Sequence, residues 1–385
     1  MQMKIFNRLM AILLVAALVM MNIPQKAEAS VSVSARSAIL MEQDSGRILY
    51  EKEANKVRRI ASITKIMTAI LAIESGEMDE MVKVSEQAVR AEGSSIYLQI
   101  GEKIKLEDLV YGLMLRSGND SAVAIAEHIG GSLEGFSYLM NQKAEEIGMK
   151  NTHFANPHGL DDHEDHYSTA YDMALLTRYA MKNEKYQEIA GTKVHRAPNP
   201  NESWDRVWKN KNRLLTEMYE YCTGGKTGYT KRAKRTLVTT ASKGNLNLIA
   251  VTLNGPDDWN DHINMYETAF KTYDVVEVLP QGTVKDIEDG FYKNKVYLKH
   301  PYSYPVTKEE KNGFKIDFKL LKPKEEWEDS RNIPEVVGHA TVYFENKPVK
   351  KLPIYFKHEE VKEDKSFLDY FKSLFTSISG VKKDG

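Results

Sequence analysis

The sequence contains one cysteine in 385 residues, Cys222, so the chain can form no internal disulfide bond. Its core must therefore stabilise the fold without covalent cross-links. The formal net charge is only −1, and this lack of a basic excess argues against a nucleic-acid partner. We expect Cys222 to be a packed bystander rather than a nucleophile, because the motif that follows it carries a different chemistry.

Long apolar runs are also scarce. The run at residues 9–21 is shorter than the roughly 20 residues that a membrane-spanning helix needs. Lys4 and Arg8 precede it, and an Ala27-Glu28-Ala29 cleavage pattern follows. This arrangement is typical of a secretory signal peptide. The sequence therefore predicts that residues 1–29 are removed during export, so that the mature chain acts on the extracytoplasmic side of the membrane.

Residues 30–275 show strand patterns at both ends and helix patterns between them. Apolar alternation predicts strands at residues 37–41, 47–50, 236–241 and 246–253. Apolar residues at helical spacing predict helices at residues 62–74, 106–129, 133–147, 170–181 and 261–273. This order favours an α/β domain with a mixed sheet and a helical subdomain. In it, the N-terminal hairpin would lie beside the C-terminal strands.

The composition changes near residue 276. Runs at residues 314–320, 341–344 and 352–356 predict strands, and together they indicate a small antiparallel β-domain over residues 276–360. Residues 361–385 follow a different pattern, because their aromatic and leucine residues recur at helical spacing. We favour an amphipathic helix that lies on a membrane surface over a helix packed into the β-domain.

Three short motifs occur in order: Ser62-Ile63-Thr64-Lys65, Ser117-Gly118-Asn119 and Lys226-Thr227-Gly228. Each motif is weak alone, and the first pattern recurs in the tail at Ser379-Gly380-Val381-Lys382 without meaning. The ordered set is typical of serine enzymes that react with penicillin. We therefore treat the set, and not any single motif, as the functional signal.

The first motif predicts a nucleophile and its base. Ser62 and Lys65 are three residues apart and share a helix face, with Ser62 at the helix N-terminus. A serine hydroxyl needs a base to become a nucleophile, and Lys65 can act as one only when neutral. Burial and a second cation, Lys226, would both lower its pKa. The structural alternative is a helix cap and a solvated lysine.

The other two motifs predict a proton relay and a strand edge that binds the substrate backbone. Gly118 interrupts a helical pattern, so Ser117 can pass a proton between a lysine and a leaving group, and Asn119 can hold a substrate amide. The Lys226 motif leads a strand, and Gly228 in it allows a substrate backbone to lie along the edge. The structural alternatives are a plain loop and a glycine-rich turn.

Longer segments around these motifs resemble the low-molecular-mass penicillin-binding proteins, which are serine D-alanyl-D-alanine carboxypeptidases. The similar segments are residues 59–68, 156–160, 166–174 and 225–230. The resemblance covers residues 34–275, extends more loosely to the β-domain and tail, and is closest to the sporulation-type enzyme of endospore-forming Gram-positive bacteria. It implies the transpeptidase fold that these proteins share with serine β-lactamases.

The resemblance also implies a reaction. Ser62 attacks the penultimate D-alanine carbonyl of a peptidoglycan stem peptide while Lys65 takes its proton. Backbone N–H groups of Ser62 and Tyr229 form the oxyanion hole, and Ser117 and Lys226 pass the proton to the departing D-alanine. Water then hydrolyses the acyl-enzyme.

In the implied complex, Thr227 and a nearby cation bind the terminal carboxylate. That cation is Lys211, which stands where relatives often carry an arginine, or else Arg213. β-Lactam antibiotics become covalent inhibitors, and no cofactor or metal is required. The expected place of action is the cell wall or the space at the forespore outer membrane.

Three other interpretations are less well supported. A β-lactamase would carry a deacylating glutamate, but residues 152–156 contain none. A non-catalytic peptidoglycan-binding protein would not need every motif residue intact. A metal site formed by His153, His158, His163 and His166 with nearby acidic residues is disfavoured, because their spacing fits no tight ligand pair.

Overall fold

The computed structural model describes residues 31–200 and 202–358. The signal peptide (residues 1–29) and the C-terminal amphipathic helix (residues 361–385) expected from the sequence lie outside the described residues. The chain divides into two compact units, one of Met1–Val275 with Pro305–Lys308 and one of Val276–Tyr304 with Glu309–Gly385. None of the helices within the described ranges is long and apolar enough to cross a membrane.

The first unit combines strands and helices. Its strands are β1 (Ser37–Glu42), β2 (Ile48–Lys52), β3 (Met81–Lys83), β4 (Lys103–Lys105), β5 (Val194–Ala197), β6 (Arg206–Lys209), β7 (Cys222–Thr230), β8 (Lys234–Lys243) and β9 (Leu246–Leu253). Its helices are α1 (Lys65–Glu74), α2 (Glu86–Val89), α3 (Leu106–Tyr111), α4 (Asn119–Gly130), α5 (Leu133–Ile147), α6 (Ala170–Ala180), α7 (Glu184–Gly191) and α8 (Asp258–Thr272).

The main sheet has the strand order β2-β1-β9-β8-β7, which confirms that the N-terminal hairpin lies beside the C-terminal strands. Leu40 pairs with Ala250, and Val251 pairs with Val238. Each pairing in this sheet is antiparallel. The main sheet is therefore antiparallel, where the sequence predicted a mixed one. The strand that carries Lys226 forms one edge of this sheet, where it is open to a ligand.

The two faces of this sheet pack into different hydrophobic cores. Ile39 and Met41 of β1 join the core that contains α1, α4 and α6, whereas Ala38 and Leu40 pack with Tyr266 of α8. This alternation follows from the two-residue period of a strand. As a result α1 is buried on nearly all sides, and the residues at its N-terminus are held in a rigid environment.

Two of the predicted helices differ in detail from the observed ones. The helix expected at residues 62–74 begins with a 3₁₀ turn, Ala61–Thr64, and α1 starts only at Lys65. The block expected at residues 106–129 is divided, because a π-helical turn at Gly112–Arg116 separates α3 from α4. A further π-helical turn occupies Leu214–Met218. Irregular turns of this kind are frequent at functional sites.

The remaining strands are β10 (Asp274–Leu279), β11 (Gly282–Thr283), β12 (Val296–Leu298), β13 (Tyr302–Val306), β14 (Phe314–Leu320), β15 (Val336–Phe344) and β16 (Lys347–Phe356). Short 3₁₀ turns lie at Glu325–Glu328 and Ser330–Asn332. Five of these strands form a sheet in the order β11-β12-β16-β15-β14. Its pairings are antiparallel, which confirms the predicted β-domain architecture.

Candidate active site

The side chains of the first two motifs meet at the start of α1. Lys65 Nζ lies 3.1 Å from Ser62 Oγ, 2.6 Å from Asn119 Oδ1 and 2.8 Å from the His158 carbonyl oxygen. Ser62 belongs to the 3₁₀ turn, Asn119 is the first residue of α4, and His158 lies in the segment before α6. One lysine amine therefore joins three separate parts of the chain.

The environment of Lys65 favours a neutral amine. Its side chain is fully buried, and burial, followed by the positive charges of Lys226 and Lys211, holds its pKa well below the usual range. A neutral amine has two hydrogens, which can be donated to the Asn119 and His158 oxygens. Its lone pair then remains for the Ser62 hydroxyl. This arrangement lets Lys65 act as the base that activates the serine.

A second lysine and serine meet beside the first pair. Lys226 Nζ lies 3.1 Å from Ser117 Oγ and donates to the Thr227 carbonyl oxygen at 2.8 Å. Burial, with a further contribution from Lys211, lowers the pKa of Lys226 to about 7. Ser117 reaches this position because it ends the π-helical turn in the left-handed conformation, with φ +65°. This pair can exchange a proton near neutral pH.

The loop at residues 92–98 is fastened to the second motif and forms part of the site. Asn119 donates its backbone N–H to Ser94 O at 2.7 Å and its side-chain amide to Glu92 O. Asp120 accepts hydrogen bonds from the Ser95 hydroxyl and from the backbone of Ile96. Sequence reasoning missed this loop, because it contains no catalytic residue type in a recognisable pattern.

Gly228 allows β7 to approach the serine turn closely. A Cβ at this position would lie 2.9 Å from Ser62 N, 3.1 Å from Ile63 N and 2.5 Å from Thr236 Oγ1. These distances are too short for a side chain. The absence of a Cβ therefore keeps the backbone N–H of Ser62 beside the strand edge, next to Tyr229.

A cleft of about 350 Å³ opens between these elements. It is lined by Ser62, Ser117, Lys211, Thr227, Tyr229 and Arg235, among others. Lys211 Nζ lies 3.2 Å from Ser94 Oγ, whereas Arg213 pairs with Glu217 and is not among the cleft residues. Of the two cations that the sequence left open, the structure places Lys211 at the site.

Arg235 is a cleft residue that sequence reasoning missed. It lies opposite Tyr229 in the β7–β8 register, forms an ion pair with Asp258 and stacks 5.4 Å from the Trp259 ring centroid. The predicted strand began one residue later, at position 236. Extending the alternation by one residue would have placed this guanidinium beside the third motif.

The four histidines of the 153–166 segment are not brought together as metal ligands. His158 and His166 are buried, and burial lowers the pKa of each to about 3. Within residues 31–200 and 202–358, the histidine and carboxylate side chains that do converge are Glu77, Glu80 and His128. The segment instead supports the site, since His158 presents its carbonyl to Lys65.

Cys222 is buried at the start of β7, and burial raises its thiol pKa to about 11. Its sulfur lies 3.5 Å from the Gly224 carbonyl oxygen. A thiol with a raised pKa is a poor nucleophile at neutral pH. These surroundings agree with the packing role expected from the sequence.

Comparisons with known proteins identify two matching families. A model described as D-alanyl-D-alanine carboxypeptidase matches residues 23–257, and one described as Penicillin-binding protein 5, C-terminal domain, matches residues 273–363. D-alanyl-D-alanine carboxypeptidase DacF of Bacillus subtilis is 38% identical over 284 residues, which cover 70% of this chain and 72% of DacF. DacC of Escherichia coli is 34% identical over 276 residues, covering 66% and 65% of the two chains.

Solved structures give the same result. The carboxypeptidase DacD from Francisella tularensis has a TM-score of 0.64 and 26% identity, and covers 86% of this chain and 94% of its own. Penicillin binding protein 5 from Haemophilus influenzae has a TM-score of 0.68 and 25% identity, and the match covers 85% of this chain and 98% of that protein's chain. The similarity to these two structures therefore extends through both units of the chain.

Proposed function

Because the chain belongs to the D-alanyl-D-alanine carboxypeptidase family, we propose that it removes the terminal D-alanine from peptidoglycan stem pentapeptides through an acyl-enzyme on Ser62. The observation that carries the proposal is the buried Lys65 amine, whose nitrogen lies 3.1 Å from the Ser62 hydroxyl oxygen. A serine hydroxyl with a base within hydrogen-bonding distance is what nucleophilic catalysis by serine requires. Trimming the stem in this way would limit cross-linking of the wall.

In the acylation step, Ser62 Oγ forms a bond to the carbonyl carbon of the penultimate D-alanine and its proton moves to Lys65. The carbonyl oxygen becomes negatively charged and is held by the backbone N–H groups of Ser62 and Tyr229. The intermediate collapses when its C–N bond breaks. Ser117, hydrogen-bonded to Lys226, delivers a proton to the departing amine of D-alanine. The proton that Lys65 took from Ser62 replaces it, so Lys65 is neutral again before deacylation.

Water completes the reaction by attacking the ester carbonyl. The bond to Ser62 Oγ breaks, the serine recovers a proton, and the shortened peptide leaves. Lys65 is the group within hydrogen-bonding distance of Ser62 Oγ that can take a proton from this water. The same base thus acts in both halves of the cycle.

The free carboxylate of the substrate distinguishes a carboxypeptidase substrate from an internal peptide. Thr227 can donate its hydroxyl to this carboxylate, and Lys211 and Arg235 supply positive charge from the cleft wall. Arg235 has a planar, two-pronged donor set that suits a carboxylate better than a lysine does. Asn119 would hold the amide on the other side of the scissile bond.

β-Lactams would acylate Ser62 in the same way, and slow release separates this proposal from a β-lactamase. In the described part of the chain, no carboxylate is hydrogen-bonded to Ser62 or Lys65. A glutamate bonded directly to these atoms is therefore lacking among the described residues, and residues 152–156 contain no glutamate. A non-catalytic binding protein is also disfavoured, since such a protein would not need a buried base beside its serine.

We further propose that the mature protein is exported and lies on the membrane surface through residues 361–385, with a role in the cell wall or the spore cortex. The sequence patterns of residues 1–29 and 361–385 support this part of the proposal. A chain ending at Glu363 should be soluble without detergent and keep full activity. A full-length mature protein that needs no detergent would exclude the membrane-bound helix.

The proposed function is tested by incubating the mature protein with labelled penicillin and mapping the modified peptide. We expect one label per chain on Ser62, released over minutes or longer, and no label on Ser62→Ala. The protein should also release D-alanine from a stem pentapeptide. Rapid turnover without accumulated label would indicate a β-lactamase instead, and neither label nor turnover would leave a binding protein.

A further inference from the structure

The residue before the nucleophile has an unusual backbone conformation. Ala61 adopts φ +51° although it is not glycine, and it is buried. The left-handed region is unfavourable for an L-residue because its Cβ crowds the following carbonyl oxygen, so surrounding contacts must hold Ala61 there. This turn of the backbone directs the chain into the 3₁₀ turn Ala61–Thr64, on which Ser62 points toward Lys65.

Two contacts fix the Ala61 carbonyl. Thr64 Oγ1 lies 2.8 Å from the Ala61 carbonyl oxygen, and Gly159 packs closely against the same oxygen. A Cβ on Gly159 would lie only 1.9 Å from the same oxygen, so a side chain there is excluded. The carbonyl is therefore held both by a hydrogen bond and by a closely packed backbone.

A buried histidine determines the direction of the Thr64 hydrogen bond. The backbone N–H of Ala155 donates to His166 Nδ1 at 3.1 Å, so this nitrogen carries the lone pair. Burial keeps the ring neutral by lowering its pKa to about 3, and its proton must then be on Nε2. Nε2 lies 2.8 Å from Thr64 Oγ1 and donates to it.

These three hydrogen bonds form a series in which each donor points in the same direction, from Ala155 toward Ala61. Ala155 donates to His166, His166 donates to Thr64, and the Thr64 hydroxyl has only the Ala61 carbonyl left as its acceptor. Without the imidazole donor, the hydroxyl could rotate away from that carbonyl. None of the residues in this hydrogen-bond series is among the cleft residues.

We propose that His166 is a positioning residue for the nucleophile, which acts through Thr64 to hold Ala61 in the left-handed conformation that aims Ser62 at Lys65. This inference rests on the proposed acyl transfer by Ser62. Neither His166 nor Thr64 touches the substrate. Their loss should therefore lower the rate of acylation and leave the affinity for the unreacted β-lactam unchanged.

The test compares two substitutions of Thr64. Thr64→Val keeps the shape but removes the hydroxyl, and Thr64→Ser keeps the hydroxyl. Misplacement of a reacting group by about 1 Å can cost about 100-fold in rate. We expect Thr64→Val to lower the saturating rate of penicillin acylation by about that factor, with an unchanged half-saturating concentration, and Thr64→Ser to restore most of it.

Thr177→Val is the matched control, since Thr177 is buried and donates to the Met173 carbonyl oxygen within α6. It should lose stability without a change in acylation. A second pair repeats the test at the histidine: His166→Phe removes the donor, and His166→Gln keeps an amide N–H near the Nε2 position. His262→Phe is its control, because His262 is equally buried and is bonded by Thr239 and Thr252 on the far side of the sheet.

The outcomes separate this inference from the proposed function. If the unmodified protein is not acylated, the proposed function fails first. If it is acylated and Thr64→Val reacts as fast, or Thr64→Ser reacts as slowly as Thr64→Val, the positioning role of His166 is wrong. A raised half-saturating concentration with an unchanged rate also overturns it. The thermal midpoint of each variant, measured in parallel, shows whether it is folded.

Discussion

Lys226 Nζ lies 3.1 Å from Ser117 Oγ, although the two residues are 109 positions apart in the chain. This contact joins the edge strand of the sheet to the break between α3 and α4. It is made possible by the left-handed backbone of Ser117, which turns the hydroxyl away from the helix and toward β7. The site therefore contains two lysine–serine pairs, and a proton can pass through either.

Replacing Lys65 by arginine tests whether the amine acts as a base. Arginine keeps a long side chain with hydrogen-bond donors but cannot lose its proton at any pH that the protein tolerates. Because general-base catalysis contributes about 10²- to 10⁴-fold, labelling of Ser62 should slow by a factor in this range. The exposed Lys83→Arg is the control and should label at the normal rate. Fast labelling of Lys65→Arg would assign the base elsewhere.

Gly228→Ala tests the close approach of β7 to the serine turn. The added Cβ would press on Thr236 Oγ1 and on the backbone nitrogen of Ser62, which should displace the proposed oxyanion donors. Loss of one such donor costs about 10²- to 10³-fold in kcat, and we expect an effect of that size on D-alanine release. Gly290→Ala, where a Cβ meets nothing within 4 Å, should release D-alanine at the normal rate. Normal kcat in Gly228→Ala would argue against an oxyanion hole at this edge.

Cys222 should resist alkylation in the folded protein. Burial raises its pKa to about 11, so little thiolate forms at pH 8, and reagents reach the sulfur only when the strand opens. Iodoacetamide should modify it in guanidinium chloride but not in buffer, as measured by mass spectrometry. Cys222→Ala should label with penicillin at the normal rate. Loss of labelling in this variant would show that the thiol contributes to the chemistry.

Regular elements were predictable where local signals and burial agree. The helix at residues 133–147 was found without error because Ser132 caps its N-terminus and left-handed Gly148 ends it. The strand at residues 246–253 follows a glycine turn and is also recovered. By contrast, the hairpin of β5 and β6 was missed, because its short strands carry little apolar alternation.

The site was predictable only as far as side-chain types reveal it. Ser62, Lys65 and Lys226 stand in ordered motifs, but the acceptor that fixes Lys65 is partly the backbone carbonyl of His158, and a carbonyl has no signature in a sequence. The left-handed Ala61 is invisible for the same reason, since alanine gives no sign of a positive φ. Such features come from tertiary packing and require the structure.

Lys211→Met should move the pH profile of acylation upward. Repulsion from Lys211 lowers the pKa values of Lys65 and Lys226, so both should rise when this charge is removed. The acid limb follows loss of a proton from Lys65, and the alkaline limb follows loss of a proton from Lys226, whose pKa is about 7. Both limbs should therefore shift to higher pH. Saturating acylation rates measured across pH isolate this effect from weaker carboxylate binding. Arg213→Met, whose guanidinium pairs with Glu217 outside the cleft, should leave the profile in place. A downward or absent shift in Lys211→Met would mean that this charge does not tune the two lysines.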